Sequence, residues 1–411
     1  MKVLVLNCGS SSLKFQLLDV DPQGVAPDRT LARGLVDNIG ATALLRYEAE
    51  GRKVIRESAD VLEHKIAVEK SVGLLTREDA GVIHERTEIE AVGHRIVHGG
   101  ERFKESVRID DDVLDGIEDC FDLAPLHNPP NVKGYRAARE ILPQVPQVAV
   151  FDTSFHQTMP PQAYLYALPY VLYQRHGIRR YGFHGTSHRF VSRRLAALLG
   201  RAPDDPGLRL ITCHLGNGCS VAAIRGGRSQ DTSMGFTPLE GLVMGSRSGD
   251  LDPAIVLHVM AKEELGAGEL NALLNKHSGL LGVSGVSNDM RALLEAEAKG
   301  DERARLAVDV FAYRLRKYIA AYVGALGGVD GLAFAGGIGE NAPVVRERAV
   351  RGLEAVGITI DAGRNREAVV GREAEITSGG TVGARVFVVP TNEELLIARD
   401  TARLVAGLPA E

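Results

Sequence analysis

Tryptophan is missing from this chain of 411 residues, and aromatic residues make up only 5% of it, so Leu, Val, Ile and Ala must fill any core. Long apolar runs are missing too. No stretch approaches the ~20 residues that a membrane helix needs, and the first run, Val3 to Leu6, is too short for a signal peptide. We therefore expect no export, no membrane insertion and a cytoplasmic location. There is no basic excess, since the formal net charge is −5. That argues against a nucleic-acid partner, and an anionic substrate would have to be met by local Arg or Lys clusters. Cysteine is scarce: Cys8, Cys120, Cys213 and Cys219 fit no disulfide framework and no Cys-x-x-Cys site. His214 stands beside Cys213 with Cys219 close by, yet reduced thiols read more simply than a zinc site. The sequence also lacks Gly-Lys-Ser/Thr, which excludes a Walker-type P-loop.

What remains is an ordinary globular composition, 45% hydrophobic and 25% charged, on a chain long enough for two or three domains of ~150 residues. Val3 to Leu6 and Leu13 to Val20 predict two strands around the turn Asn7-Cys8-Gly9-Ser10-Ser11-Ser12, a hairpin. The same device recurs at Leu208 to Leu215, Gly216 to Ser220 and Val221 to Ile224, which points to two related halves. Further strands are expected at 90–97, Gln147 to Phe151, Leu332 to Ala335 and Val386 to Val389. Pro125 to Asn131 reads as a loop leading into a helix. Tyr181 to His188 reads as a loop feeding a helix over Arg189 to Leu199. Apolar spacing predicts a helix over Arg303 to Leu326, ended by Gly327-Gly328. Thr391 with Glu394 three residues on predicts a capping box for the last helix. Strands and helices alternate throughout, so the fold class is α/β.

Three turns of small residues follow strands, at 7–12, 216–220 and 336–341. Small residues let backbone come close to a ligand, and free N–H groups can cradle phosphate oxygens. Gly337-Ile338-Gly339-Glu340-Asn341-Ala342, with Asp361 some twenty residues later, is close to a dinucleotide fingerprint. It lies late in the chain, however, and leaves the other turns unexplained. Arg95 sits at a strand end beside a Gly pair, and Arg247 lies in a Gly-rich loop; Arg suits forked recognition of carboxylate and phosphate. His184/His188 and His94/His98 have H-x-x-x-H spacing but no metalloprotease Glu, and they fall in expected strands or loops, so zinc is disfavoured. His184 could instead donate to a transferring phosphoryl group. Asp152 ends a buried-type strand, where α/β enzymes commonly place chemistry. Glu393 is left free for an ion once Glu394 is assigned to the capping box.

Asn7-x-Gly9-Ser10-Ser11-Ser12-Leu13-Lys14-Phe15 and Gly182-Phe183-His184-Gly185-Thr186-Ser187-His188 resemble the two signatures of the acetate and propionate kinase family. Similar matches run in order along the chain: 94–100, Leu126 to Asn131, 151–156, His214 to Gly218, 245–253, Gly336 to Asn341 and Pro390 to Leu395. Cys8, Cys219 and Ser246 are small departures, and none removes a charged participant. The resemblance implies two ribonuclease-H-like domains of the actin, Hsp70 and sugar-kinase superfamily, with ATP in the cleft between them. Residues 1–153 plus 392–411 would form the N-terminal domain and 154–391 the nucleotide-binding one. It also implies a homodimer.

By the same resemblance, Asn7 and Glu393 place Mg²⁺, with Mn²⁺ as the alternative ion. Lys14, His214, Leu215, Gly216, Asn217, Gly218, Asp289, Met290, Arg291, Gly337, Ile338, Gly339, Glu340 and Asn341 serve ATP or ADP. Arg95 binds the acceptor carboxylate, Asp152 is the catalytic aspartate, and His184 and Arg247 stabilise the transition state. Val97, Leu126, Phe183 and Pro238 wall the acyl pocket. The acceptor is already an anion at neutral pH, so the expected catalysis is positioning and charge neutralisation in a direct in-line transfer. Asp152 then orients Arg95 and the metal's water rather than acting as a base. Two rival readings stay open: an NAD-dependent oxidoreductase built on 332–361, which would bind NAD, and an actin-like ATPase, which would need no carboxylate.

Overall fold

The computed structural model describes residues 1–379 and 383–411, and the chain forms two compact units, Met1–Phe155 with Asn392–Glu411, and His156–Thr391. The first unit is built on an eight-stranded sheet: β1 Lys2–Cys8, β2 Ser12–Asp19, β3 Arg29–Asp37, β4 Ala41–Ala49, β5 Ile55–Val61, β6 Ala91–Ile96, β7 Val107–Arg108 and β8 Gln147–Phe151, in the order β5-β4-β3-β2-β1-β6-β8-β7. β1 to β5 pair antiparallel, whereas β6 runs parallel to β1, and β8 parallel to β6. β1 is apolar on both faces because both are covered. Leu4 and Leu6 enter one cluster with Val68 and Val72 of the helix His64–Leu75 and Ala137 and Ala138 of Asn128–Ile141. Val3 and Val5 enter another with Ile397, Ala398 and Ala402 of the last helix, Glu393–Val405.

The second unit is built on a six-stranded sheet: β9 Arg209–Leu215, β10 Cys219–Arg225, β11 Arg228–Thr232, β12 Gly331–Ala335, β13 Ala374–Glu375 and β14 Arg385–Val388, in the order β11-β10-β9-β12-β14-β13. Here too an antiparallel triplet is followed by two parallel strands. The runs β3-β2-β1-β6-β8 and β11-β10-β9-β12-β14 are one plan used twice, the ribonuclease-H-like one, as the repeated hairpin foretold. The helix over Glu302–Leu326 starts one residue before the expected position, capped by Asp301 accepting from Ala304, and ends on Gly327 at φ 68°. No helix among the described residues is long and apolar enough to cross a membrane.

Four local expectations are corrected. The last helix is capped by Asn392, whose side chain accepts from Leu395 N–H at 3.1 Å, so Glu393 is its first residue and the Thr391/Glu394 box does not form. Thr391 is occupied elsewhere: its hydroxyl meets Ser187 Oγ at 2.7 Å and its N–H meets Glu340 at 3.2 Å. Residues 336–341 are a short helix, Gly336–Asn341, not a turn. Gly336, at φ 76°, turns the chain out of β12 at once, and an added Cβ there would stand 2.8 Å from the Leu215 carbonyl oxygen. The helix after Tyr181 begins at Gly185 rather than Arg189. The Pro-rich segment is helical from Asn128, because Pro129 and Pro130 fall in the first turn, where a missing N–H costs nothing.

Candidate active site

In the first unit, Asn7, Arg95 and Asp152 come from the C-terminal ends of β1, β6 and β8, three neighbouring parallel strands. Glu393 joins them from the start of the last helix. Arg95 is the centre of the group. Its Nε and one terminal nitrogen donate to the two oxygens of Asp152 at 3.1 and 2.5 Å. The other terminal nitrogen donates to Asn7 Oδ1 at 3.3 Å, and Glu393 lies 4.0 Å from Nε. Asp152 is 1% exposed, whereas the Arg95 side chain keeps 22% of its surface and a donor on each terminal nitrogen for a ligand. Burial works against the Arg95 charge, but Asp152 and Glu393 outweigh it and hold the guanidinium above its ordinary value.

Glu393 shows the reverse. Burial first, then the nearby Asp152 and Glu394, push its carboxyl up to about 7 against the opposing pull of Arg95 and Lys14. A half-buried carboxylate whose charge is disfavoured in this way gains from a cation, and Asn7 adds a second oxygen. Mg²⁺ is a hard ion commonly held by one or two protein oxygens together with substrate phosphates, so these residues fit it.

Two asparagines stitch the segments behind this group. Asn131 accepts from Val97 N–H at 3.0 Å and donates to the Cys8 carbonyl at 2.6 Å. Asn128 accepts from His98 N–H at 3.0 Å and donates back to the His98 carbonyl at 2.9 Å. Thr153 accepts from Gly99 N–H at 3.0 Å. The sequence reading quoted these three residues within motifs but gave them no task. Asn128 and Asn131, spaced i, i+3 around a Pro pair, were the available signal. Of the expected acyl-pocket walls, Val97 is buried and Leu126 exposed in the first unit; Phe183 and Pro238 belong to the second.

In the second unit, His184 sits at φ 58° at the head of the helix Gly185–Leu198. Its Nδ1 meets Ser220 Oγ at 2.9 Å, and its ring stacks on His214 with centroids 4.3 Å apart. Ser220 also meets His188 Nε2 at 2.7 Å, and His214 Nδ1 meets Ser187 at 2.7 Å. His188 is held well below its ordinary pKa by burial, with His156 and His214 adding to the effect. Gly218 is where two expected charge stabilisers meet. An added Cβ there would stand 3.4 Å from His184 Nε2 and 3.5 Å from a terminal nitrogen of Arg247. Arg247 donates to the Pro238 carbonyl at 3.1 Å. Among the described residues no carboxylate lies within ion-pair distance of Arg247, and burial lowers its pKa.

A cavity of about 720 Å³ opens beside the same turn. Gly216, Asn217, Asp289, Met290, Arg291, Gly337, Ile338 and Asn341 line it, all anticipated from sequence, together with Asn288, Leu294 and Ala342, which were not. Asp289 caps the helix Met290–Ala298 and pairs with Arg291 at 2.6 Å. His214 and Leu215 lie on β9, and Gly339 packs behind the cavity wall with its Cβ position 3.7 Å from Leu215 Cβ. Glu340 is engaged structurally, accepting from Gly336 N–H at 2.9 Å and Thr391 N–H at 3.2 Å. Lys14, paired with Asn7 across the first hairpin, belongs to the other unit.

Comparison with known proteins gives consistent findings. The model of the Acetokinase family matches residues 2–399. Acetate kinase of Caldanaerobacter subterraneus subsp. tengcongensis is 52% identical over 410 residues, covering 99% of this chain and 100% of that protein. The crystal structure of Porphyromonas gingivalis acetate kinase superposes with a TM-score of 0.92 at 47% identity, covering 98% of this chain and 99% of that one. That of a propionate kinase from Francisella tularensis subsp. tularensis SCHU S4 gives 0.89 at 42%, covering 99% of each.

Proposed function

The chain belongs to the acetokinase family, and from that premise we propose that it transfers the γ-phosphoryl group of ATP to acetate, reversibly, giving acetyl phosphate and ADP. One observation carries this reading. The turn Gly216-Asn217-Gly218 serves a nucleotide-sized cavity on one side, and on the other it is the meeting point of His184 and of the half-buried Arg247, which has no carboxylate partner among the described residues. A polyphosphate whose base end occupies the cavity would present its transferable end to two cationic or donor groups.

The acceptor needs no deprotonation, so the task is to bring one anion to another. Arg95 orients the acceptor carboxylate with the donors left on its terminal nitrogens, and Asp152 fixes the plane of that guanidinium. Arg247 and His184 hold the equatorial oxygens as charge builds on them. Asn7 and Glu393 would hold Mg²⁺, which when bound neutralises phosphate charge. Lys14 adds a cation for the phosphates.

Acetate is the favoured acceptor because Val97 narrows the acyl pocket. One methylene in such a pocket is worth only ~1–3 kcal/mol, and a 42%-identical relative is a propionate kinase, so propionate is the second reading. The test is ADP formation from Mg-ATP with and without acetate, trapping acyl phosphate as the hydroxamate. Stoichiometric, acetate-dependent hydroxamate is expected, with kcat/KM falling from acetate to propionate to butyrate. Turnover indifferent to any carboxylate would refute the function, and equal values for acetate and butyrate would refute the ordering. The expected assembly is a homodimer, to be checked by light scattering.

A further inference from the structure

The segment between β11 and the helix Pro253–Lys262 carries both Pro238 and Arg247, yet it contains no helix or strand. A loop this long must be held by bonds from outside its own ladder. Its neck is the pair Gly241 and Asp250. Asp250 N–H donates to the Gly241 carbonyl at 3.0 Å, and Gly241 N–H donates to Asp250 Oδ1 at 2.8 Å. Asp250 Oδ2 accepts from the Tyr318 hydroxyl at 2.8 Å and lies 3.3 Å from Arg314. Arg314 also donates to the carbonyls of Gly241 at 3.3 Å and Asp250 at 3.1 Å. Arg314 and Tyr318 are four apart on the helix Glu302–Leu326, so one face of it presents both. Gly249, at φ 68°, completes the tight neck: an added Cβ would stand 2.6 Å from the Gly241 carbonyl oxygen.

Beyond the neck the loop is held from outside as well as by itself: Gly245 N–H donates to the Asn217 carbonyl at 3.0 Å, Ser248 N–H to the Leu274 carbonyl at 3.1 Å, and the Met244 and Ser246 carbonyls accept from Leu280 and Ser278 N–H at 2.9 and 3.0 Å. Met244 N–H donates to the Arg247 carbonyl at 3.1 Å, and the Arg247 guanidinium reaches the Pro238 carbonyl on the far side of the neck. Among the described residues Arg247 has no carboxylate to anchor it, so its position is inherited from the backbone that carries it. Asp252, two residues past Asp250, has an ordinary task, capping the next helix through Ala254 N–H at 2.9 Å. Asp250 caps nothing.

We propose that Asp250, pinned by Tyr318 and Arg314, is a positioning residue for Arg247, and so tunes the charge stabilisation of the phosphoryl transfer without touching a reacting atom. The proposal rests on the reading of function given above. Tyr318→Phe removes one hydrogen bond from outside the loop, and Asp250→Asn keeps the shape but not the charge. A misplacement of a fraction of an ångström to 1 Å costs up to about 100-fold in rate. Accordingly kcat should fall about tenfold in Tyr318→Phe and further in Asp250→Asn, while the ADP Kd measured by calorimetry stays within about twofold. In an Arg247→Ala background Tyr318→Phe should cost less than about twofold, because no guanidinium is left to position. The same loss in both backgrounds, or unchanged kcat in both single variants, would overturn the proposal. Amide hydrogen exchange over residues 242–249 should rise in both variants. Unchanged exchange would overturn the pin whatever happens to turnover. No acetate-dependent turnover in the unsubstituted protein would instead overturn the functional reading while leaving the exchange test intact.

Discussion

Asp152→Asn replaces one buried oxygen by nitrogen with almost no change in volume, and it should separate positioning from binding. Arg95 donates to both Asp152 oxygens. The amide keeps one acceptor and sets a donor against a donor at the other position. One charge-assisted hydrogen bond is lost, worth about 1.5–3 kcal/mol. The guanidinium is left with Glu393, at 4.0 Å, as its remaining carboxylate in ion-pair range, and it is free to turn toward it. If the whole loss is felt in the transition state, kcat/KM for acetate falls by about 10- to 150-fold. The cavity proposed for the nucleotide is lined entirely by the second unit, so ADP affinity should stay within about twofold. Acetate titrations with hydroxamate trapping at saturating Mg-ATP give the first quantity. Calorimetry gives the second, since a chain without tryptophan offers no indole fluorescence. A kcat/KM within twofold of the unsubstituted protein would refute the orienting role. So would a loss of ADP affinity as large as the loss of kcat/KM, which would mean general damage.

Arg247→Ala should lower kcat by about 100- to 1,000-fold with the ATP KM little changed; a selective rise in ATP KM at unchanged kcat would contradict the role. Arg346 is fully buried and donates to the carbonyls of Gly339, Asn365 and Ala368 at 2.7, 2.6 and 2.8 Å. Arg346→Met strands these acceptors at a cost of order 3 kcal/mol or more and loosens the helix Gly336–Asn341, so the urea midpoint and ADP affinity should fall together, and an unchanged midpoint would sink the argument. Burial holds His94 and His156 each down to about 4 from an ordinary 6.5. Between those values the unfolded chain binds more protons than the folded one, so stability rises with pH there. Each imidazole should remove about 2 kcal/mol at pH 5 relative to pH 7; urea titrations giving the same unfolding free energy at both pH values would refute this.

The strands and the motif-bearing turns were legible because they depend on local pattern: an apolar run, a Gly/Ser break, another run. The repeated hairpin revealed the doubled plan before any contact was known. What escaped were helices begun by residues with poor propensity. Gly185 and Gly336 start helices against their intrinsic preference, whereas Pro129 and Pro130 sit in a first turn that tolerates proline, a start signal that read as loop. The Thr391 box failed for a related reason. A cap competes with any other partner for the same hydroxyl, and Ser187, remote in sequence, wins it. Asn131 reaching Cys8, Arg346 gathering three carbonyls and Asp250 meeting Tyr318 are side-chain links over long sequence separations. No periodicity records such links, so the residues that hold the site in shape were less readable than those that fill it.

The two arginines at the centre of the proposal are prepared in opposite ways, and the difference fits what each is asked to do. Arg95 is compensated before any ligand arrives: Asp152 grips it from behind and its charge is held above the ordinary value. A guanidinium in that state has a fixed plane and gains moderately from another carboxylate, which suits orienting an acceptor whose charge does not change sign on binding. Arg247 is half-buried with no counter-charge among the described residues, and its environment works against its cation. It gains most from whatever negative charge comes nearest, and more as that charge grows. Only interactions that strengthen on the way to the transition state raise kcat, and an unpaired, half-buried cation is an arrangement for which the gain is steep. Supplying Arg247 with a permanent carboxylate, for instance by Gly218→Asp, whose Cβ would stand 3.5 Å from a terminal nitrogen of Arg247, should therefore lower kcat. An unchanged kcat in a variant whose Arg247 is demonstrably ion-paired would mean that its unpaired state is incidental to the chemistry.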